Sequence, residues 1–260
     1  MEINCSMSIR KTLALIFIGI SSVISAQQLG NLNLVHENLS FLNPAHLGSE
    51  EHKSIFLDYR KQWAGIKNTP EDYSCLAEGS FLNKKIGLGV FVKSTEVGLI
   101  TRPGFGVGYR YRAKLNANND LDVGLYLGAE RSSIDFSRII ADEPTELIEL
   151  QKIQAQSAGK AGFGIAYRFK KLEVGINANI FIGDRLSYTN PVNQQEISLL
   201  KIPDYNFFMC MPVKTGERWV WTPSVVLLST QGLPLYLDVY NQFTYNKNLS
   251  FGVGFRQSAN

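Results

Sequence analysis

The chain has 260 residues, of which 45% are hydrophobic and 19% charged, and its formal net charge at pH 7 is +3. Loss of the predicted signal segment, which carries Glu2, Arg10 and Lys11, lowers that charge to +2, so the mature chain lacks the basic footprint of a nucleic-acid-binding protein and no nucleic-acid partner is expected. Three cysteines are too few for a disulfide scaffold, and no cysteine or histidine spacing is typical of a zinc site.

The first 26 residues have the pattern of a secretory signal. Arg10 and Lys11 precede an apolar run over residues 13–20, and the small residues Ser25 and Ala26 lead into Gln27. We therefore predict cleavage near Ala26. No later stretch reaches the roughly 18 continuous apolar residues that a spanning helix needs, so a helical membrane protein is not expected.

The strongest signal in the mature chain is an alternation of side chains with a period of two, which is typical of β-strands. In the predicted strand 102–113, apolar residues alternate with glycine and arginine: Phe105, Val107, Tyr109 and Tyr111 fall on one face, and Gly106, Gly108, Arg110 and Arg112 on the other. The same alternation predicts eleven strands, near residues 53–63, 72–82, 85–94, 102–113, 121–136, 160–169, 172–183, 203–213, 218–228, 235–245 and 249–257. The predicted fold class is therefore all-β, with antiparallel strands.

Two architectures fit this alternation: a soluble sandwich or barrel with apolar residues inward, and an outer-membrane barrel with apolar residues outward. The predicted connections favour the transmembrane β-barrel, because compact polar links alternate with longer ones. The compact links are 83–84, 114–120, 170–171, 214–217 and 246–248, and the longer ones, expected together on the opposite side, are 64–71, 95–101, 137–159, 184–202 and 229–234. Aromatic residues predicted at strand ends agree with a membrane barrel: Tyr109, Tyr111, Tyr167, Trp219, Trp221, Tyr236 and Tyr245.

If the N-terminal segment lies in the periplasm, odd-numbered strands run outward and the eleventh strand ends at the cell surface. Single-chain bacterial barrels instead have an even number of strands, which returns the chain to the periplasm. We therefore expect 12–14 strands in the complete barrel and expect this chain to lack one to three of them at its C-terminal end. The predicted division is a signal peptide at 1–26, a periplasmic N-terminal segment at 27–52 and a transmembrane β-barrel at 53–260.

No pattern in the chain predicts an enzyme, a cofactor or a metal site. The GFGVG sequence at 104–108 resembles part of a phosphate loop, but it lies within a predicted strand and not at a strand-to-helix turn. The histidines precede the first strand with irregular spacing, and we expect them at the surface or in turns: His36, His46 and His52. No serine lies in a nucleophile elbow and no histidine lies in a predicted strand, so we expect a non-enzymatic protein.

Charged residues are predicted on the inner faces of the strands, where they would line the lumen. They are Arg110, Arg112, Arg168, Arg256, Asp122, Glu130 and Glu173. Because buried charges are tolerated when they pair, we expect these residues to hold the lumen together, with a charged permeation path as the alternative. In the longest predicted link, residues 142–156 are predicted to form a short amphipathic helix. This helix would either pack on the rim of the barrel or act as a partner-binding or pore-covering element.

The stretch FLNPAHLGSEEHKSIFLDYRKQWAG at 41–65 contains two motifs separated by a charged segment. Asn43-Pro44 predicts a rigid turn and Gly48 permits a positive φ angle. NPAHLGS, followed by YRKQWAGI and then by Pro70, resembles the N-terminal signature of the PorP/SprF family, outer-membrane proteins of the type IX secretion system and gliding apparatus of Bacteroidota. The residues at the family's motif positions are Asn43, Pro44, Ala45, Gly48, Tyr59, Arg60, Gln62, Trp63 and Gly65.

The resemblance implies a barrel of around fourteen strands in the outer membrane of a Gram-negative bacterium. It implies an accessory or anchoring role in protein secretion and gliding motility, with outer-membrane lipid and either type IX secretion components or the C-terminal domains of secreted adhesins as partners. The alternative function is a FadL-like passive channel for hydrophobic solutes. Individual motif residues such as Arg60 and Trp63 would either fix the first strand in the barrel or contact a partner.

Overall fold

The computed structural model describes residues 39–49, 52–66, 68–135, 154–182, 186–189, 196–199, 203–230 and 234–259. These residues form antiparallel β-structure together with two short 3-10 turns, at Leu39–Phe41 and Pro44–His46. In chain order the strands are β1 (Ser54–Lys61), β2 (Glu71–Phe81), β3 (Ile86–Val97), β4 (Ile100–Asn116), β5 (Asn119–Ile134), β6 (Gln154–Phe169), β7 (Leu172–Ile182), β8 (Leu186–Thr189), β9 (Glu196–Leu199), β10 (Asp204–Cys210), β11 (Val213–Lys214), β12 (Trp219–Thr230), β13 (Leu235–Tyr245) and β14 (Leu249–Ala259). Within these ranges, no helix has the length and apolar character needed to cross a membrane.

One antiparallel sheet contains twelve of these strands. Each strand from β1 to β7 pairs with the next along the chain, and the path continues through β10, β12, β13 and β14, with the two-residue β11 beside β12. β8 and β9 form a separate hairpin. All eleven predicted strands are present, and the prediction of an all-β antiparallel fold is confirmed. The number of strands in the complete barrel stays a prediction.

One of the predicted long links is wrong. β3 and β4 run on to Val97 and Ile100, so only Gly98 and Leu99 connect them, and Gly98 supplies the positive φ angle of 62° that so tight a turn requires. The predicted loop at 184–202 contains the β8–β9 hairpin. The remaining connections still differ between the two ends of the sheet. One end, called the short-turn end, carries the links 82–85, 117–118, 170–171, 211–218 and 246–248. The other, called the long-loop end, carries 62–70, 98–99, 135–153, 183–203 and 231–234.

The predicted helix at 142–156 is wrong at its C-terminal end. Residues 154–156 are the first residues of β6 and pair in register with Ile134, Ser133 and Ser132 of β5. Backbone hydrogen bonding to β5 outweighs the helical spacing of the apolar side chains here, so these residues form a strand. Residues 142–153 lie outside the described part of the chain.

The two faces of the sheet have the polarity of a membrane barrel and not of a soluble one. On β4, Phe105 and Val107 are 63% and 56% exposed, whereas Arg110, which belongs to the opposite face, is completely buried. The same inversion follows the other long strands, where exposed leucine, valine and isoleucine alternate with buried polar residues and glycine. An apolar outer face is stable in lipid and not in water, so this inversion agrees with the transmembrane β-barrel that the predicted connections favoured.

The sheet curls around the N-terminal segment. Gly48 donates a hydrogen bond from its backbone nitrogen to Glu78 on β2, while His46, two residues earlier, packs its ring 4.5 Å from the ring of Phe208 on β10. Six strand steps separate β2 from β10, which in a flat sheet is about 29 Å, whereas two residues of chain span at most about 7 Å. The two strands therefore face each other across the segment, as they do in the wall of a barrel.

Candidate functional site

The interior of the curled sheet is occupied by residues 39–48, here called the plug. Its centre is the 3-10 turn Pro44–His46, which begins at Asn43. The Asn43 side-chain oxygen accepts a hydrogen bond from the Ala45 nitrogen at 2.8 Å, and proline, which has no donor to lose, occupies the first position of the turn. Gly48 ends the plug with a φ angle of 56°. The predicted rigid turn is therefore present, and it lies inside the sheet.

Glycines on the inner faces of the strands make room for the plug. A Cβ atom on Gly87 would lie 1.9 Å from the carbonyl oxygen of Leu47, and one on Gly124 would lie 2.2 Å from the Ala45 nitrogen. The space above Gly164 is filled by Asn43 in the same way. These three glycines belong to one row of cross-strand partners over β3, β5 and β6. No side chain fits at these positions while the plug is in place.

Polar groups of the wall hold the main chain of the plug. The Arg110 guanidinium donates hydrogen bonds to the carbonyl oxygens of Leu47 at 2.6 Å and Gly48 at 2.8 Å. Glu78 accepts one from the Gly48 nitrogen at 2.9 Å. On the other side of the lumen, the Asn43 side-chain nitrogen donates to the Ile176 carbonyl oxygen of β7 at 3.0 Å. The plug is thus bonded to opposite parts of the wall.

Beneath the plug, at the short-turn end, three arginines converge on one carboxylate. Asp122 is completely buried and accepts hydrogen bonds from Arg112 at 2.8 and 3.0 Å. The guanidiniums of Arg168 and Arg110 lie 2.7 and 3.4 Å from its oxygens. Arg168 also donates to Glu173 at 2.8 Å, which continues the network to β7. Every charge in this network has an opposite charge in contact, which is the condition for burying it.

His46 connects the plug to this network. Its Nε2 atom lies 3.0 Å from Glu173 Oε1, and its side chain is almost completely buried. Burial lowers the pKa of His46 below its usual value because it disfavours the charged imidazolium, and the Glu173 carboxylate opposes that shift only in part. The histidines were expected at the surface or in turns, and His46 is in a turn. That turn lies inside the lumen and not at the surface. His52 is exposed, and His36 lies outside the described residues.

The two remaining charges predicted for the lumen lie apart from the plug. Glu130 is 3.5 Å from the Lys93 ammonium, and Arg256 donates to Asp238 at 3.1 Å. Tyr236 lies at the start of β13, as predicted for a strand-end aromatic residue. Its side chain is 7% exposed and belongs to the apolar cluster inside the sheet with Phe208.

The second motif lies far from the plug, at the long-loop end. Tyr59 and Arg60 lie near the end of β1, on opposite faces of the sheet. The link to β2 contains Gln62, Trp63 and Gly65. Trp63 is 64% exposed and has a φ angle of 49°. Asn43, Pro44, Ala45 and Gly48 are inside. The structure therefore separates the motif residues into an internal group and an outer group.

Sequence reasoning missed three participants of the internal group: Leu47, whose carbonyl oxygen binds Arg110, Glu78, and Phe208. A signal for them was present in the repeated inward glycines, which mark a close approach of another backbone. That signal does not identify what approaches.

Comparison with known proteins places this arrangement in a family. The family model described as "Type IX secretion system membrane protein PorP/SprF" matches residues 24–260. The chain belongs to the PorP/SprF family. No curated protein matches the chain. The family match spans the plug, both motifs and all fourteen strands, so the plug and its glycine-lined wall lie within the part of the chain that PorP/SprF defines.

Proposed function

We propose that this PorP/SprF protein is a non-enzymatic outer-membrane barrel that acts as an accessory or anchoring protein for secreted surface proteins. The family supports the coarser part of this statement, a membrane protein of the type IX secretion system. In the proposal, the signal peptide is removed near Ala26, the plug enters the barrel from the periplasm, and the long-loop end faces outward.

The observation that carries the anchoring role is the filled lumen. The plug contacts β2, β4, β6, β7 and β10. Its main chain is bonded to Arg110 and Glu78, and its Asn43 side chain donates to the Ile176 carbonyl oxygen. A passive channel for hydrophobic solutes needs an apolar path through the lumen. Here the plug fills the lumen and is held by buried charges above the network of Asp122 and Glu173. This supports a rigid barrel with a blocked lumen, whose outer surface is available to bind a partner.

The outer group of motif residues provides such a surface in this proposal. Trp63 and Ile66 are both 64% exposed on the first long-loop link, next to the ring pair of Tyr59 and Tyr73, whose centroids are 4.9 Å apart. Exposed aromatic residues on a rigid scaffold are common anchors of protein interfaces. Arg60 and Gln62 would position this link, since the Gln62 nitrogen donates to the Pro70 carbonyl oxygen at 2.9 Å.

The test is co-purification from a native host, with the tagged protein as bait and type IX secretion components and secreted C-terminal domains followed by mass spectrometry. Recovery of either class from wild-type cells, with loss in Trp63→Ala, is expected. The control is Trp219→Ala, because Trp219 is an outward aromatic residue at the short-turn end. In parallel, the purified protein is tested for conductance in planar bilayers and for uptake of a long-chain alkane into proteoliposomes. Conductance or uptake, together with no partner recovered by co-purification, would favour the channel instead.

A further inference from the structure

The two ends of the sheet differ in charge. The five links of the short-turn end contain seven lysine or arginine residues and one carboxylate, Glu217. The five links of the long-loop end contain five lysine or arginine residues and seven carboxylates. Clustered cations at the rim of a membrane protein attract anionic lipid headgroups. The charge distribution therefore favours an anionic surface around the short-turn end.

A continuous aromatic surface lies on the outer face of the sheet at this end. Its rings come from three neighbouring strands, β12, β13 and β14, and we call it the aromatic shelf: Trp219, Trp221, Phe243, Tyr245 and Phe251. The ring centroids of Trp219 lie 4.9 Å from Tyr245 and 5.9 Å from Phe251. Phe243 stacks on Phe251 at 5.5 Å and on Trp221 at 6.5 Å. The five rings therefore form one apolar patch.

Unused hydrogen-bond donors lie at the edge of the aromatic shelf. The Arg218 guanidinium donates to the Tyr245 hydroxyl at 3.2 Å. A guanidinium has five N–H donors, and among the described residues Arg218 has no second side-chain partner and no carboxylate within 4 Å. The indole nitrogen of Trp221 donates to Asn241 at 3.0 Å, whereas that of Trp219 has no acceptor in the described part of the protein. Arg218 and Trp219 can thus both donate to a ligand.

The links that flank the aromatic shelf are positive overall. Links 211–218 and 246–248 contain three cations, Lys214, Arg218 and Lys247, and Glu217 balances one of them. A ligand that combines a negative headgroup with acyl chains would therefore match both the charge of these links and the apolar rings beside them.

We propose that Arg218 and the aromatic shelf bind an anionic phospholipid of the adjoining leaflet. The phosphate accepts hydrogen bonds from Arg218 and from the Trp219 indole nitrogen, and the acyl chains run past Trp221 and Phe243 into the membrane. A zwitterionic phospholipid presents the same phosphate but adds an ammonium group, which the positive links repel. The proposal rests on the lipid-facing outer surface and not on the anchoring role or on which end faces the periplasm.

The experiment uses the full mature chain, reconstituted in vesicles of phosphatidylcholine and phosphatidylglycerol, with tryptophan fluorescence as the readout. The chain has three tryptophans, and Trp63→Phe leaves only Trp219 and Trp221. Bromine atoms on the acyl chains, placed near the headgroup, quench a tryptophan that they contact. Quenching by brominated phosphatidylglycerol is compared with quenching by brominated phosphatidylcholine at the same mole fraction. This comparison gives the ratio of the two association constants at the aromatic shelf.

The expected ratio at the aromatic shelf is about 5 in favour of phosphatidylglycerol, from one cation at the headgroup. A second reporter, Trp219→Phe combined with Trp221→Phe, leaves Trp63 at the long-loop end, where no such preference is expected. Equal association of the two lipids at the aromatic shelf would overturn the site. The same preference at both reporters would show a general enrichment of the anionic lipid and would overturn it too.

Variants in the Trp63→Phe chain assign the preference to Arg218. Arg218→Gln is expected to lower the ratio about twofold or more, and Arg218→Lys to keep most of it. Lys171→Gln removes the same charge from another short turn and is expected to leave the ratio unchanged. Heat-dependent mobility on electrophoresis shows that each variant is folded. An unchanged ratio in Arg218→Gln, or equal losses in both glutamine variants, would refute the assignment.

Inorganic phosphate identifies the source of the anion. In excess phosphate, the preference is expected to fall only as far as it falls in sodium chloride of the same ionic strength, because the acyl chains hold the lipid on the rings. Loss of the preference in phosphate alone would assign a site for the free ion and would overturn the phospholipid.

Discussion

Asn43 fills the space above Gly164 so closely that a Cβ atom on that glycine would lie 1.9 Å from the Asn43 side-chain oxygen. The same asparagine bonds to Ile176 on the next strand. Asn43 therefore contacts two neighbouring strands at once: it packs closely on β6 and forms a hydrogen bond with β7. The fit between the plug and the wall is specific at the level of single atoms, and it can be tested one atom at a time.

Gly124→Ala is expected to displace the plug. The new methyl group would lie 2.2 Å from the backbone of Pro44 and Ala45, and backbone cannot move aside as a flexible side chain can. We expect a loss of about 1–3 kcal/mol in the free energy of unfolding, and faster proteolysis within residues 39–48. The control is Gly104→Ala, an inward glycine away from the plug, whose nearest contact would be 3.2 Å. Equal effects of the two variants would contradict the plug's role.

Arg110→Met is expected to cost about 3 kcal/mol or more in the free energy of unfolding, measured by denaturant titration with tryptophan fluorescence. It removes two charge-assisted hydrogen bonds to buried carbonyl oxygens and one of the charges around Asp122. Arg256→Met is the comparison, because Arg256 also pairs with a carboxylate but lies on the more exposed β14. There the expected loss is smaller than at Arg110, because the Arg256 side chain is 31% exposed and water can replace it beside Asp238. The prediction fails if Arg256→Met is the more damaging change.

The cost of an outward arginine is expected to depend on depth. Val107→Arg, in the middle of β4, should lose about 2–4 kcal/mol in lipid, whereas Tyr111→Arg, near the short-turn end, should lose about 0–1 kcal/mol. The two side chains are similarly exposed, at 56% and 48%. If this face of the sheet were in water, the two substitutions should therefore have similar effects. Reversible unfolding in lipid vesicles measures the difference. Two equal values would argue against a membrane-facing surface.

Acidification is expected to destabilise the plug through His46. Burial lowers the pKa of His46 in the folded protein, so below the unfolded value of about 6.5 the unfolded chain binds more protons than the folded protein does. The free energy of unfolding therefore decreases as the pH decreases. Between pH 6.5 and 5.5 the slope due to this group is at most about 1.4 kcal/mol per pH unit. His46→Gln should remove that part of the slope in unfolding curves recorded at both pH values. Parallel curves for the two proteins would show that His46 does not titrate in this way.

The orientation in the membrane is tested by labelling. In a chain with Cys75 and Cys210 replaced by alanine, Ile66→Cys should react with an impermeant maleimide on intact cells. Lys171→Cys, in a short turn, should react only after lysis. The reverse pattern would place the long-loop end in the periplasm.

Much of the fold could be predicted because the pattern that decides it is local. Lipid on one side of the wall requires that Phe105 and Val107 share a face, and the alternation of their neighbours records this directly. The turn at Asn43-Pro44 and the positive φ angle at Gly48 are local too. The link at 95–101 was misjudged because polar strand ends such as Thr95 resemble a loop, although their backbones continue the ladder.

The site itself could be predicted only in its parts. The arginines and carboxylates of the lumen were identifiable from the faces of their strands, but the plug was not, because its contacts join distant parts of the chain. His46 illustrates the reason: its apolar neighbours Ala45 and Leu47 do not specify which strands surround it, and its surroundings come from Phe208 and Glu173. The separation of Trp63 from Asn43 likewise follows from the direction of β1 and not from either motif.

The reach of Asn43 has a consequence for the order in which the barrel can assemble. Asn43 and Ile176 are 133 residues apart, so the site for the plug does not exist until most of the chain has been synthesised. The plug is synthesised first, before the strands that surround it. Contacts of such sequence separation form slowly, because the entropy of closing the chain is lost before they form. During this interval Asn43, His46 and the apolar strands are all without their final neighbours. A holding chaperone that binds extended chains would therefore have its largest effect on the yield of folded protein at this stage.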